Sequence, residues 1–511
     1  MEQAKSHEPE KNNTMDFEEI NEALGPFGKY QKFVFFLSCW GSFMPAMVVV
    51  CMTFVGNNVD HRCFVPGCDD PNEPDFSAEF VNDTIPHGDE CFMYQRYEPV
   101  TNSSTCNLDD FNVNVKTNCS EKVFDTSLFT STTVTEFDLT CENAWLGPLA
   151  GSMYMVGMLL GAITIGDLAD RFGRKMGILV SVMLLGGGGV LSAVSPNYYM
   201  FLAMRLLTGA GGVGLFQVTF VLAVEFIGAK YRTFCGIMIE VPFALGEAMT
   251  GVLAIFIREW RWLQVAVTAP AFLLLSYMWI MPESVRWLVS QGKRDVAVKI
   301  IKKAADVNGV EVPKHLLEDS NTEVGRPSHV LVSSSPDTEV SRPSGIKRMG
   351  RKGTLSFVLL LGGVACFVSG FIPEEFGAVI VTLSLVGKFG IAAAFAIVYV
   401  YSAEIFPTEY RSVGIGACSM CARIGGIVAP FVASLAHTYK PLPLLVFGSL
   451  SIVAGLLVVL LPETVGCELP QTIPESESFG SDQSIWYFSC CGKKRREPVT
   501  EENTATEDQR V

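Results

Sequence analysis

Apolar residues in this chain gather into long blocks set apart by polar stretches. Ten blocks qualify: 33–55, 145–165, 176–194, 199–224, 233–257, 262–281, 354–372, 376–403, 412–436 and 441–461. A run of 18 or more apolar residues spans the ~30 Å hydrocarbon layer as a helix. A buried soluble helix can imitate one such block, but not ten. The pattern predicts an all-α polytopic membrane protein with ten spans. Two long polar interruptions remain, 56–144 and 282–353. The second contains an amphipathic basic stretch, 284–304, that predicts a helix, and a Ser/Pro-rich linker, 320–346.

Charge orients these blocks. Segment 56–144 has four basic residues among seventeen acidic ones, whereas 282–353 has thirteen Lys and Arg. Positive residues stay on the cytoplasmic side. The short loops carrying Arg171, Arg174 and Lys175, then Lys230 and Arg232, fall on the same side as 282–353. With an even number of spans, both termini are expected in the cytoplasm. Residues 1–28 are polar and acidic, so the first block is expected to act as an uncleaved signal anchor. The expected organisation is a cytoplasmic N-terminus (1–32), an N-terminal six-helix bundle (33–281) carrying the outer loop 56–144, a cytoplasmic linker (282–353), a four-helix half-bundle (354–461) and a cytoplasmic tail (462–511). The net charge of −15 gives no support to a nucleic-acid partner.

The outer loop holds Cys63, Cys68, Cys91, Cys106, Cys119 and Cys141. An even count in an extracellular segment reads as three disulfides, with fifteen pairings open. Sequons at Asn82, Asn102 and Asn118 predict glycosylation there. No zinc-ligand spacing stands out among the remaining cysteines. The tail sequence "CCGKKRR", 490–496, reads as a palmitoylation site beside an anionic-lipid patch, or as a solvated basic run.

Four landmarks occur twice in the same order. Arg171-Phe-Gly-Arg-Lys175 pairs with Arg348-Met-Gly-Arg-Lys352, Glu225 with Glu404, Tyr231-Arg232 with Tyr410-Arg411, and Pro282-Glu-Ser284 with Pro462-Glu-Thr464, at offsets of 177 to 180. So constant an offset marks a duplicated membrane unit. Two blocks precede Arg171, but none lies between 283 and Arg348. The second half therefore lacks a helix pair, and every later block keeps its orientation.

Candidate chemistry follows from placement. Asp167, Asp170, Arg171 and Arg174, with Glu225 and Arg232, form a charged cluster suited to a latch that is made and broken as two bundles rock. Arg348, Glu404 and Arg411 form its second copy. Five ionisable residues lie inside membrane blocks: Arg205, Glu240, Glu247, Lys388 and Arg423. Such residues are costly in hydrocarbon and face a cavity or a partner. Glu247, with Tyr154, Tyr399 or Tyr401, suits an amine, Arg423 suits a carboxylate, Lys388 falls near mid-bilayer with both, and Glu240 shares a helix face with Glu247. Arg205 reads as structural or gating. No phosphate-cradling loop, nucleophile triad or metal cluster is apparent, so neither an enzyme nor ATP-driven transport is expected, and no cofactor.

The loop "GDLADRFGRK", 166–175, resembles the signature loop of the major facilitator superfamily. With "HRC" 61–63, "TEFDLTCE" 135–142, "PESVRWLVSQGK" 282–293, "VGKFG" 386–390 and "YVYSAEIFPTEYR" 399–411, the chain resembles its organic cation and carnitine transporters over roughly 16–318 and 348–475. The resemblance implies two six-helix bundles around a central cavity. Here the second would be incomplete, lacking the family's seventh and eighth helices. It also implies that the position of Arg423 in "CARIGG" 421–426 is acidic in simple cation carriers and basic in anion and carnitine carriers. The expected function is secondary transport of organic cations or carnitine-like zwitterions across the plasma membrane by alternating access. Sodium or proton coupling and oligomers are expected companions. A transport-incompetent short form acting by association, and an organic anion carrier, are the alternatives.

Overall fold

The structure, a computed structural model, describes residues 17–313, 350–464 and 473–483 apart from 58, 73, 87–88, 98–105, 107–109, 408–410, 438 and 481–482. The chain divides into two compact units, Met1–His329 with Ala422–Ser434, and Val330–Cys421 with Leu435–Val511.

In the first unit a short helix, α1 (Phe17–Ala23), leads into α2 (Lys29–Val55). After the outer loop come α3 (Leu146–Phe172), α4 (Arg174–Ala193) and α5 (Tyr198–Phe226). They are followed by α6 (Ala229–Met238), α7 (Glu240–Phe256) and α8 (Trp260–Ile280). Small residues let α3 and α5 approach closely, as in membrane helix pairs generally. A β-carbon at Gly157 would collide with the Leu206 carbonyl, and one at Gly161 would stand 2.5 Å from Ala210. Phe256, Leu273 and Trp279 stand exposed in a density that lipid tolerates and water does not.

The predicted helix over 284–304 is in fact two, α9 (Val285–Ser290) and α10 (Arg294–Asn308). The break falls at Gly292, whose φ of 72° is left-handed and cannot continue a helix. The apolar face of α10, Ala297, Ile301, Ala304 and Ala305, is buried. Asn308 at its end donates to the Leu24 carbonyl and accepts from the Tyr30 N–H, both at 2.9 Å.

The second unit contains α11 (Gly350–Ser369), α12 (Gly377–Ile405), the first part of α13 (Arg411–Ser434) and α14 (Leu442–Val458). The expected boundary kept block 412–436 whole, but Ala422–Ser434 belongs to the first unit. There the Ser152 hydroxyl donates to the Ile427 carbonyl at 2.6 Å. Among the described residues nine helices are long and apolar enough to cross a membrane. The block expected as a tenth span, 441–461, forms a 17-residue helix, which rises about 26 Å. Between Met281 and Gly350 the described residues form only α9 and α10.

The outer loop is built from two antiparallel strand pairs: β1 (His61–Cys63) with β4 (Lys122–Phe124), and β2 (Phe92–Arg96) with β3 (Phe111–Asn118). Of the fifteen pairings the structure selects Cys63–Cys119, Cys68–Cys106 and Cys91–Cys141. Inside the loop Arg62 is buried and bidentate to Asp69 at 2.8 and 2.6 Å, with its other donors on the Cys63, Phe76 and Asp75 carbonyls. Asn82 and Asn118 are exposed, and Asn102 lies outside the described residues.

Candidate functional site: a carboxylate clamp built twice

Gly173, at φ 102°, makes the turn between α3 and α4. The first backbone N–H groups of α4 would be orphaned there. Glu283 takes them, accepting from Arg174 N at 2.9 Å and Lys175 N at 3.2 Å. A carboxylate at a helix N-terminus also meets the positive end of the helix dipole. The Arg174 guanidinium donates to Asp170 at 2.6 Å, the Ala169 carbonyl at 3.0 Å and Glu225 at 3.1 Å. Trp287 of α9 donates its indole N–H to the Asp170 carbonyl at 2.7 Å. Asp167 and Arg171 pair at 2.9 Å, one turn apart on an exposed face. Arg232 donates to the Ile227 carbonyl at 3.1 Å, just beyond the end of α5.

The second unit repeats the arrangement. Gly350, at φ 66°, precedes Arg351, whose N–H donates to Glu463 at 2.8 Å. Lys352 N donates to the same carboxylate at 3.2 Å. The Arg351 guanidinium reaches Glu404 at 2.9 Å. Among the described residues the two copies diverge at Thr464 and Ser284. Thr464 donates its hydroxyl to Glu404 Oε2 at 2.6 Å, whereas Ser284 accepts from the Trp287 N–H at 3.1 Å and caps α9. Glu225 Oε2 consequently has no hydrogen-bond partner.

Of the residues expected to form a latch, Arg174 joins Asp170 and Glu225, while Asp167 and Arg171 pair with each other and Arg232 binds a backbone carbonyl. Glu283, Glu463 and Arg351 also take part in these clusters, and the expected latch left them out. Their signal was the repeat itself, since Arg351 is the mate of Arg174 and Glu463 of Glu283. Arg348 and the 490–496 tail lie outside the described residues. Arg411 opens α13, with its side chain outside the description.

The predicted substrate residues are scattered over both units. In the first, Glu240 is exposed and Glu247 half-buried on one face of α7, with Arg423 half-buried in the second part of α13. The Tyr154 ring is buried, and its face carries the Arg205 guanidinium at 4.6 Å. In the second, Lys388 is exposed on α12. Tyr399 meets Phe395 edge-on at 5.0 Å, and buried Tyr401 donates to the Pro462 carbonyl at 2.6 Å. A cavity of about 600 Å³ lined by Thr130, Phe256, Arg258 and Trp262 holds none of these residues. In the outer loop His61 Nε2 lies 3.6 Å from Cys141 Sγ, but the Cys91–Cys141 disulfide leaves no thiolate there to bind metal.

These features define a multi-pass helical membrane protein with a duplicated charged clamp. Residues 94–326 match the model of the "Sugar (and other) transporter" family, and 345–490 that of the "Major Facilitator Superfamily". The chain is 34% identical to human "Solute carrier family 22 member 2", over 90% of this chain and 95% of that protein. It is 33% identical to the Drosophila melanogaster "Organic cation transporter protein", over 91% of this chain and 95% of that one. The xylose transporter XylE from E. coli, inward open, shares the fold at a TM-score of 0.56 and 14% identity, over 88% of this chain and 99% of that one. The chain belongs to the major facilitator superfamily, and within it to the organic cation transporter family of solute carriers.

Proposed function

We propose that this chain is a secondary transporter of small organic cations or zwitterions, working by alternating access in the plasma membrane with both termini cytoplasmic. One observation carries the reading: the same carboxylate-and-arginine clamp is built once in each unit. It stands on a chain whose relatives are named organic cation transporters. Charge-assisted contacts at helix ends suit a latch, because they hold one arrangement firmly and are lost together when the helices part. Glu247 would attract the amine, and Arg423 would take a carboxylate by paired hydrogen bonds. A carnitine-like substrate carries both charges. Sodium or proton coupling and association into oligomers belong to the same proposal.

A second reading has its own support. The described residues between Met281 and Gly350 form only α9 and α10. One relative, the "Organic cation transporter-like protein" of Drosophila melanogaster, aligns over 551 residues. That exceeds the 511 of this chain, so the alignment contains positions with no residue here. Such a chain, short of a helix pair, would act by associating with a full-length relative. Uptake of a labelled quaternary ammonium ion, carnitine and an aromatic carboxylate into proteoliposomes separates the readings. The proposal expects saturable uptake of one of the first two, reduced at least about tenfold by Glu247→Gln and, where the solute is carnitine, by Arg423→Asp as well. Absence of saturable uptake for all three favours the second reading. Uptake of the carboxylate alone, lost in Arg423→Asp, would make the chain an organic anion carrier.

A further inference from the structure

Arg205 lies two turns into α5 from its Tyr198 end and is 1% exposed. The groups acting on its charge are the Cys51 thiol and the Tyr154 and Tyr198 hydroxyls, none of them a carboxylate. Tyr198 is committed elsewhere, donating to the Leu146 carbonyl at 2.6 Å. The guanidinium stacks on Tyr154, yet its Nε and Nη1 have no hydrogen-bond partner. The Tyr154 hydroxyl and Gln264 Nε2 are unpartnered too. Cys51 ties Gln264 to this group: its thiol donates to Gln264 Oε1 at 3.4 Å. The occupied carbonyl leaves the amide's NH2 as the orphan.

Among the described residues the cluster thus has a full positive charge, a surplus of unpartnered donors and no carboxylate, with the Tyr154 hydroxyl as a neutral group that can also accept. A buried ion is tolerated when paired and hydrogen-bonded, and is strongly unfavourable otherwise. Water would satisfy the donors but leave the charge uncompensated. Arg205, Tyr154, Cys51 and Gln264 are each 2% exposed or less, which favours a compact spherical ion over an organic acid. We propose that the first unit encloses a small monovalent anion of the halide class, chloride foremost. It would be held on Arg205 Nε and Nη1, with the Gln264 amide and the Tyr154 hydroxyl as further donors. The ion is a resident counter-charge among α2, α3, α5 and α8, separate from any transported solute.

Binding of radioactive chloride to the purified full-length chain in detergent tests this directly. The expected result is saturable binding that bromide displaces and gluconate does not. Affinity should fall at least about tenfold in Arg205→Gln and several-fold in Gln264→Leu and Tyr154→Phe. Arg205→Lys keeps the charge but not the fork of donors, and should weaken binding without abolishing it. If Arg205→Gln fails to fold, Gln264→Leu, Tyr154→Phe and Arg205→Lys decide the matter. Absence of saturable chloride binding in the unmodified chain overturns the proposal and leaves a water-filled site. Binding undiminished in every folded variant overturns it as well.

Discussion

The carboxylate of Glu463 holds the N–H of Arg351 at 2.8 Å, as that of Glu283 holds the N–H of Arg174 at 2.9 Å. The two glutamates are 180 residues apart in the chain, and each receives a second N–H from the following lysine, at 3.2 Å in both copies. Glu283→Gln and Glu463→Gln keep the shape but remove the charge facing the helix dipole. Each should cost about 0.5–2 kcal/mol of stability, read as a lower unfolding temperature of the purified protein. The alanine variants, which also orphan the N–H groups, should cost more.

Arg351 and Glu404 form a partly shielded pair in which Glu404 also accepts from Thr464. A double-mutant cycle with Arg351→Ala and Glu404→Ala should give a coupling of about 0.5–3 kcal/mol. Additive single effects would mean that the contact contributes nothing.

Arg62 and Asp69 are both buried in the outer loop, and every guanidinium nitrogen finds an acceptor. Breaking such a pair from one side leaves a buried charge, at a cost of about 3–5 kcal/mol. Arg62→Ala and Asp69→Ala should therefore abolish the folded loop, detected as exposed thiols at the three disulfide pairs. Arg62→Lys should rescue only in part, since lysine cannot reproduce the fork.

Much of this architecture was legible because it rests on periodic signals. Long apolar blocks, charge asymmetry and a near-constant repeat offset located the helices from Phe33 to Ile280 and the clamp from Asp170 to Glu225. The break at Gly292 was missed because the sequence shows a glycine there but not the left-handed φ it adopts. The disulfide partners were illegible because β1 and β4 are distant in sequence and are brought together only by folding. Tyr154 and Tyr401 were read as aromatic help for an amine. Sequence could not show that Arg205 already covers one ring, or that the Pro462 carbonyl takes the other hydroxyl.

His61 supplies a pH dependence. Burial, reinforced by Lys122, pushes its imidazole below the ordinary value of 6.5, against the opposing pull of Glu90 and Asp138. The Cys91–Cys141 disulfide, Glu90 at 3.6 Å and Phe124 also face the ring. The unfolded chain therefore takes up a proton that the folded loop resists. Stability from this group is fully present above pH 6.5, declines as pH falls below it, and levels off below the folded value. Thermal unfolding followed across that range should show the decline, and His61→Gln should remove it.

Counterflow tests the central claim most directly. Proteoliposomes holding the purified chain are preloaded with an unlabelled organic cation or carnitine, and entry of the labelled compound is timed. A carrier that alternates between two faces predicts faster, overshooting entry from preloaded vesicles than from empty ones, weakened by Arg174→Ala or Arg351→Ala. Equal entry with and without preloading, indistinguishable from protein-free vesicles, would contradict the account.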